Sequence, residues 1–128
     1  MILNPFKGKN IVITGGSRGI GLEMARKFAA NGANLALIAR DKDDLNAGRE
    51  SLDLEGKGST VRAYSGDVTN ADTLHDYFHM IRLELGHIDG IVANSGYCHP
   101  GNFHEIELDD LDRQIDVNLR GVVYTLRL

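Results

Sequence analysis

The order of apolar runs along this chain leaves few folds open to it. Ile11-Val12-Ile13, Leu35-Ala36-Leu37-Ile38-Ala39, Val61-Arg62-Ala63-Tyr64 and the group Ile88, Ile91, Val92 and Ala93 are short and rich in strand formers. Between them, apolar residues recur at helical spacing. Ile20, Met24 and Phe28, with the small Ala25 and Ala29, make a stripe that stops near Asn31-Gly32. Leu45 and Leu52 share a face between Asp41 and Glu55, and Gly56-Lys57-Gly58 ends that helix. Thr69 or Asn70 can cap a third helix carrying Leu74, Phe78, Ile81 and Leu85, closed by Gly86. After a loop from Asn94 to Glu105, a last helix bears Leu108, Leu111, Ile115, Leu119, Val122 and Leu126, the most regular stripe in the chain. Apolar strands separated by amphipathic helices pack as parallel strands, with right-handed crossovers that set helices on both sheet faces. The expected fold class is α/β: a doubly wound parallel sheet in three α/β/α layers, one domain over residues 1–128.

Composition narrows the ligands. Lys and Arg number 14 against 18 Asp and Glu, a formal net charge of −4 with no basic run. A nucleic-acid backbone or an anionic membrane is therefore a poor match, and a small molecule is the favoured ligand. Cys98 is the single cysteine, which excludes an intrachain disulfide, and the opening Met-Ile-Leu-Asn-Pro-Phe-Lys lacks the layout of a signal peptide. A cytoplasmic location is the expectation. No apolar stretch approaches the ~20 residues of a membrane span.

Residues 13–21 read ITGGSRGIG, four glycines in nine positions directly after the first strand. Such a turn sets backbone N–H groups and the positive end of a helix at the carboxyl edge of the sheet, where a pyrophosphate can sit. Gly15 allows the tight turn, Gly19 the close approach of a ligand, and Gly21 the close packing of helix on strand. A side chain at Gly19 is expected to block the site. Glycine clusters also serve ordinary turns, so the spacing matters: Thr14-Gly15-x-x-x-Gly19-x-Gly21 resembles the short-chain dehydrogenase/reductase family.

The resemblance implies a Rossmann-like fold with strands in the order 3-2-1-4, and a nicotinamide cofactor held by Thr14, Gly15, Ser17, Arg18, Gly19, Ile20 and Gly21. Asp67-Val68 is similar to the family's Asp after the third strand, which contacts adenine; a plain turn or cap is the other reading of Asp67. Ala93-Asn94-Ser95-Gly96 resembles the family's Asn-Asn-Ala-Gly, matching at Asn94 and Gly96 and departing at Ala93 and Ser95. Cofactor choice follows from charge, because a 2′-phosphate needs cations where a bare ribose diol needs a carboxylate. Ala39 stands where NAD-using members carry an Asp, Arg40 follows it, and Arg18 supplies a second cation, so NADP(H) is expected.

Family members move a hydride between cofactor and a carbonyl or alcohol using a Tyr, a Lys, a Ser and an Asn. Asn118, in Val117-Asn118-Leu119, is identified as the Asn. An amide beside an apolar stripe also needs hydrogen-bond partners for structural reasons alone. Tyr64, Tyr77, Tyr97 and Tyr124 are followed four residues later by Val68, Ile81, Gly101 and Leu128, and no serine follows Ser95. The other three groups are therefore absent, and the 128-residue chain is expected to be inactive alone.

The last helix is still in apolar register at Leu128, so the resemblance reads as the family's first half. Three accounts stay open: part of an enzyme, a short non-catalytic NADP(H) binder, or a piece that works with a complementary chain. Pairing into a homo-oligomer through the last helix is implied by the family, although the stripe alone does not distinguish a core face from a pairing face. Residue types at Gly101-Asn102-Phe103-His104-Glu105 and Gly121-Val122-Val123-Tyr124 resemble the subgroup that reduces 3-ketosphinganine. Tyr97-Cys98-His99-Pro100 can border a substrate or form a surface turn. His75 and His79 share metal-ligand spacing, but no Cys or carboxylate cluster completes a site, so they are read as solvated and no metal is expected.

Overall fold

The structure, a computed structural model, describes residues 4–55 and 58–128. The helix stop expected at Gly56-Lys57 lies outside the described residues. Strands β1 (Asn10–Thr14), β2 (Asn34–Ala39), β3 (Val61–Ser65) and β4 (Gly90–Ala93) form one parallel sheet in the order β3-β2-β1-β4. Helices α1 (Gly19–Ala30), α2 (Lys42–Glu55) and α3 (Ala71–Leu85) connect them. After β4 come a short 3-10 turn at Phe103–Glu105, α4 (Leu108–Ile115), a π-helical turn (Asp116–Arg120) and α5 (Gly121–Arg127).

Alternation along the strands divides the core between the two faces of the sheet. Ile11, Ile13, Leu35 and Leu37 meet Ala25 and Ala29 of α1 and Leu45 and Leu52 of α2. Val12, Ala36 and Ile38 point the other way, onto Leu74, Phe78 and Ile81 of α3 and Val117. Every residue of β1 is buried, while every residue of β4 is only half-buried. The difference follows from position, since β1 lies between two neighbours and β4 pairs only with β1 among the described residues.

Caps explain the helix limits. Asn70 accepts the Thr73 N–H at 3.0 Å to start α3, and Gly86 ends it with φ of 92°. The Asp41 carboxylate accepts the Asp44 N–H at 2.9 Å and starts α2. At the amino edge of the sheet, the Asn10 side-chain amide donates to the carbonyls of Leu85 and His87, both at 2.8 Å, and accepts from Asn34 at 3.0 Å. This clasp ties β1, β2 and the end of α3 together.

Three expectations change. Ile20 is 75% exposed, because α1 begins at Gly19 and its first turn projects past the strand ends; the helix packs through Gly21, Ala25 and Ala29 instead. The last helix is not one continuous α-helix, and its regular apolar stripe faces outward: Leu108, Ile115, Leu119 and Leu126 are all more than half exposed. Its inward side is Val117, Gly121 and Thr125. A Cβ on Gly121 would stand 2.6 Å from Val68 Cγ2, so a missing side chain lets the helix approach the sheet. Ile88, expected in the fourth strand, precedes β4.

Candidate functional site

Parallel strands deliver their following loops to one edge of the sheet, and there the loops surround a cleft of about 680 Å³. Gly15, Ser17, Arg18, Gly19 and Ile20 line it from the β1–α1 turn, and Ala39, Arg40, Asp41 and Asp44 from the segment after β2. Asp67 and Val68 close it behind β3, Asn94, Ser95 and Gly96 behind β4. Thr14, Gly21 and Asn118 do not line the cleft; they hold its walls.

The walls are joined by contacts that admit no extra atom. The Thr14 hydroxyl, 1% exposed, accepts the Asn94 N–H at 3.1 Å and the Ser95 N–H at 3.2 Å. The Asn94 side chain donates to the Gly15 carbonyl at 3.2 Å. A Cβ on Gly21 would lie 2.1 Å from that same carbonyl oxygen and 2.6 Å from the Asn94 amide. Gly21 thus packs on the turn and on Asn94 rather than on the strand itself. Gly15 and Gly19 have φ of 67° and 57°, the left-handed region where side chains are strained. At Gly19 a Cβ would meet nothing within 4 Å, so the space beside it is open cleft.

The start of α1 faces this space without a cap. Arg18 occupies the N-cap with no side-chain bond to the helix, and the first turn carries no acidic residue, in contrast to α2 and α3. Free N–H groups and the helix dipole make that end attractive to an anion. Arg18 is largely exposed and lies 3.7 Å from Asp44. Across the cleft, Arg40 is exposed and joins no ion pair among the described residues.

Asp67 is held from two directions. Its Oδ1 accepts the Thr69 N–H at 2.9 Å and the Thr69 hydroxyl at 2.8 Å, and its Oδ2 accepts from Arg113 at 2.9 Å. Burial pushes the carboxyl up, but the Thr69 donors and the Arg113 guanidinium outweigh it and hold it below the ordinary value. Asn118 sits in the π-helical turn, a distortion that re-aims side chains and is frequent at functional sites. Its Oδ1 accepts the Tyr97 N–H at 2.9 Å and its amide donates to the Tyr97 carbonyl at 2.7 Å. The amide's polar needs are met by the loop after β4.

Arg113 and Asp44 line the cleft and were not legible as site residues. Arg113 lies 46 positions from its partner Asp67, a separation that no local pattern bridges. Tyr97, a candidate to border a substrate, donates its hydroxyl to Asp110 at 3.0 Å, and that carboxylate raises its value above the usual phenol range. His99 lies 3.6 Å from the other Asp110 oxygen, and Cys98 is exposed. His75 and His79 are exposed on α3, away from its buried Leu74 and Phe78.

Gly21→Ala should cost at least about 2 kcal/mol of stability, measured by denaturant unfolding, because backbone rather than a flexible side chain obstructs the added carbon. Asp67 gives a pH signature. Its depressed value contributes stability that is complete above the unfolded value of about 3.9 and is lost as pH falls through the folded value. Between about pH 5 and 2 the parent chain should lose stability more steeply than Asp67→Asn; parallel curves would contradict the assignment.

Comparison with known proteins agrees with this geometry. A family model described as short chain dehydrogenase matches residues 9–128. Oxidoreductase UcpA of Salmonella typhimurium is 38% identical over 117 residues, covering 90% of this chain and 43% of that protein. An NAD+-bound xylitol dehydrogenase superposes with a TM-score of 0.91 at 27% identity, over 96% of this chain and 47% of the other. L-sorbose reductase from Gluconobacter frateurii, complexed with NADPH and L-sorbose, gives 0.87 at 30% identity, over 95% and 46%. The chain spans about half the length of the curated relatives it matches. Sequence, sheet order and the glycine-lined cleft agree that this chain belongs to the short-chain dehydrogenase/reductase family.

Proposed function

We propose that this chain supplies the NADP(H)-binding portion of an oxidoreductase that transfers a hydride between the cofactor and a carbonyl or alcohol carbon. The observation that carries this reading is the uncapped N-terminus of α1, opening beside Gly19 onto the cleft. A diphosphate seated there would take the free N–H groups of the first helical turn. The bound nicotinamide would supply or accept the hydride.

Charge supports NADP(H) over NAD(H). Arg18 and Arg40 both line the cleft, and the carboxylate of Asp41 beside Arg40 is engaged as the cap of α2. Ala39 offers no acceptor to a ribose diol. The xylitol and sorbose enzymes bear NAD+ and NADPH respectively, so the fold accommodates either, and Arg18 and Arg40 are the side chains that support NADP(H) here. Thr14 and Gly21 act in this reading as wall residues, and Asn118 as the relay Asn that the family resemblance implies.

No Tyr-x-x-x-Lys occurs in these residues, so the 128-residue chain alone should bind cofactor without turnover. The substrate to test first is a 3-keto long-chain base, on the residue types at 101–105 and 121–124. The outward stripe of Leu108, Ile115, Leu119 and Leu126 is the surface through which a second copy would pair.

Titration of intrinsic NADPH fluorescence tests the binding reading. Saturable binding should weaken roughly tenfold in Arg40→Ala, the loss of one charge-assisted contact, while NADH affinity barely moves. Equal loss for both cofactors would remove the 2′-phosphate assignment. A chain carrying the Tyr and Lys should oxidise NADPH with 3-ketosphinganine; turnover only with sugar or polyol ketones would redirect the substrate, and binding without any turnover would favour a non-catalytic binder. Light scattering should show a dimer that Leu119→Asp dissociates, and a monomeric parent chain would dismiss the pairing surface.

A further inference from the structure

Arg113 lines the cleft and donates to another of its lining residues, Asp67, at 2.9 Å. It reaches from α4 to Asp67 with its side chain 27% exposed, while the facing carboxylate is 31% exposed. Its guanidinium carbon also lies 6.0 Å from the centroid of the Tyr97 ring, within cation–π range. Tyr97 is fixed in turn, its backbone by both polar atoms of Asn118 and its hydroxyl by Asp110. The guanidinium is therefore confined between a carboxylate and a ring that each have other anchors.

This confinement sets what Asp67 can offer a ligand. A carboxylate has about four acceptor positions. Thr69 occupies Oδ1 twice and Arg113 occupies Oδ2 once, which leaves one strong acceptor position on a side chain that lines the cleft. Because both oxygens are tethered, the group cannot turn aside to suit a different partner. A ligand amino group is welcomed there, and a ligand carbonyl oxygen meets an immobile negative charge.

We propose that Arg113 is a positioning residue for base selection: by tethering Asp67 it makes the cleft prefer a base with an exocyclic amino group over one with a carbonyl at the same place. The inference rests on the dinucleotide reading of the cleft. Arg113 acts through Asp67, since a terminal nitrogen of its guanidinium donates to the carboxylate while the guanidinium carbon lies 6.0 Å from the Tyr97 ring centroid. Without the tether, Asp67 keeps Thr69 but gains freedom to swing Oδ2 out of the base site. The gain for an amino group then falls, and so does the penalty for a carbonyl.

The test compares two cofactors on the intact 128-residue chain: NADPH and its deaminated analogue, in which hypoxanthine replaces adenine. The parent chain should bind NADPH roughly tenfold more tightly than the analogue. Arg113→Met, which keeps the stem but not the charge, should bring the two within about twofold, and Arg113→Lys should restore most of the difference. Asp67→Asn should abolish the preference in the same way. If Arg113→Met weakens both cofactors by one common factor and leaves their ratio intact, Arg113 is merely structural and the proposal fails. Equal affinities in the parent chain would overturn it as well. A parent chain that binds neither cofactor would instead bring down the dinucleotide reading, and the proposal with it. Thermal unfolding of each variant accompanies the titrations; should Arg113→Met not fold, Arg113→Leu, which likewise removes the charge and the donors, decides through the same ratio.

Discussion

The approach of the Gly21 backbone to the Gly15 carbonyl is the constraint around which this molecule is arranged. One added carbon at Gly21 would fall 2.1 Å from that oxygen, inside any tolerable contact. Because the two backbones come so close, α1 can lie against the end of β1, and the Asn94 amide reaches the same carbonyl beside Gly21. Thr14 completes the joint by accepting two N–H groups from the start of the loop after β4. The ends of β1 and β4 and the first turn of α1 therefore behave as one unit. The open space beside Gly19 borders this joint.

Three arginines and three aspartates line the cleft, so its electrostatics depends on which of them are already paired. The net charge is −4, yet the acidic groups nearest the open space are occupied. Asp41 caps α2, Asp44 lies near Arg18, and Asp67 is tied to Thr69 and Arg113. The uncapped end of α1 and the side chain of Arg40 are left facing the cleft. Local commitments of carboxylates, rather than overall composition, set the charge presented to the open space.

The last helical segment serves two surfaces with different chemistry. Inward, Val117, Gly121 and Thr125 pack against the sheet, and the buried Thr125 hydroxyl donates to the Gly121 carbonyl at 2.7 Å. Outward, Leu108, Ile115, Leu119 and Leu126 form an exposed apolar stripe. Between α4 and α5 the π-helical turn holds Asn118 on Tyr97, so the loop after β4 is fastened to the same helix that supplies Arg113.

Much of this was legible in the residues. Strand runs, the Leu45/Leu52 and Leu74/Phe78/Ile81 faces, the Asn70 cap and the Gly86 stop all depend on neighbours a few positions away, which local spacing records. The glycine turn was legible for the same reason, and with it the edge of the sheet where a ligand belongs. Tertiary structure alone decided that the most regular stripe faces out and that Ile20 is exposed. It also decided that Thr14 and Gly21 brace the wall and that Arg113 answers Asp67. Sequence periodicity identifies an apolar face but not what the face meets, and partners 46 to 81 positions apart are brought together only when the sheet has closed.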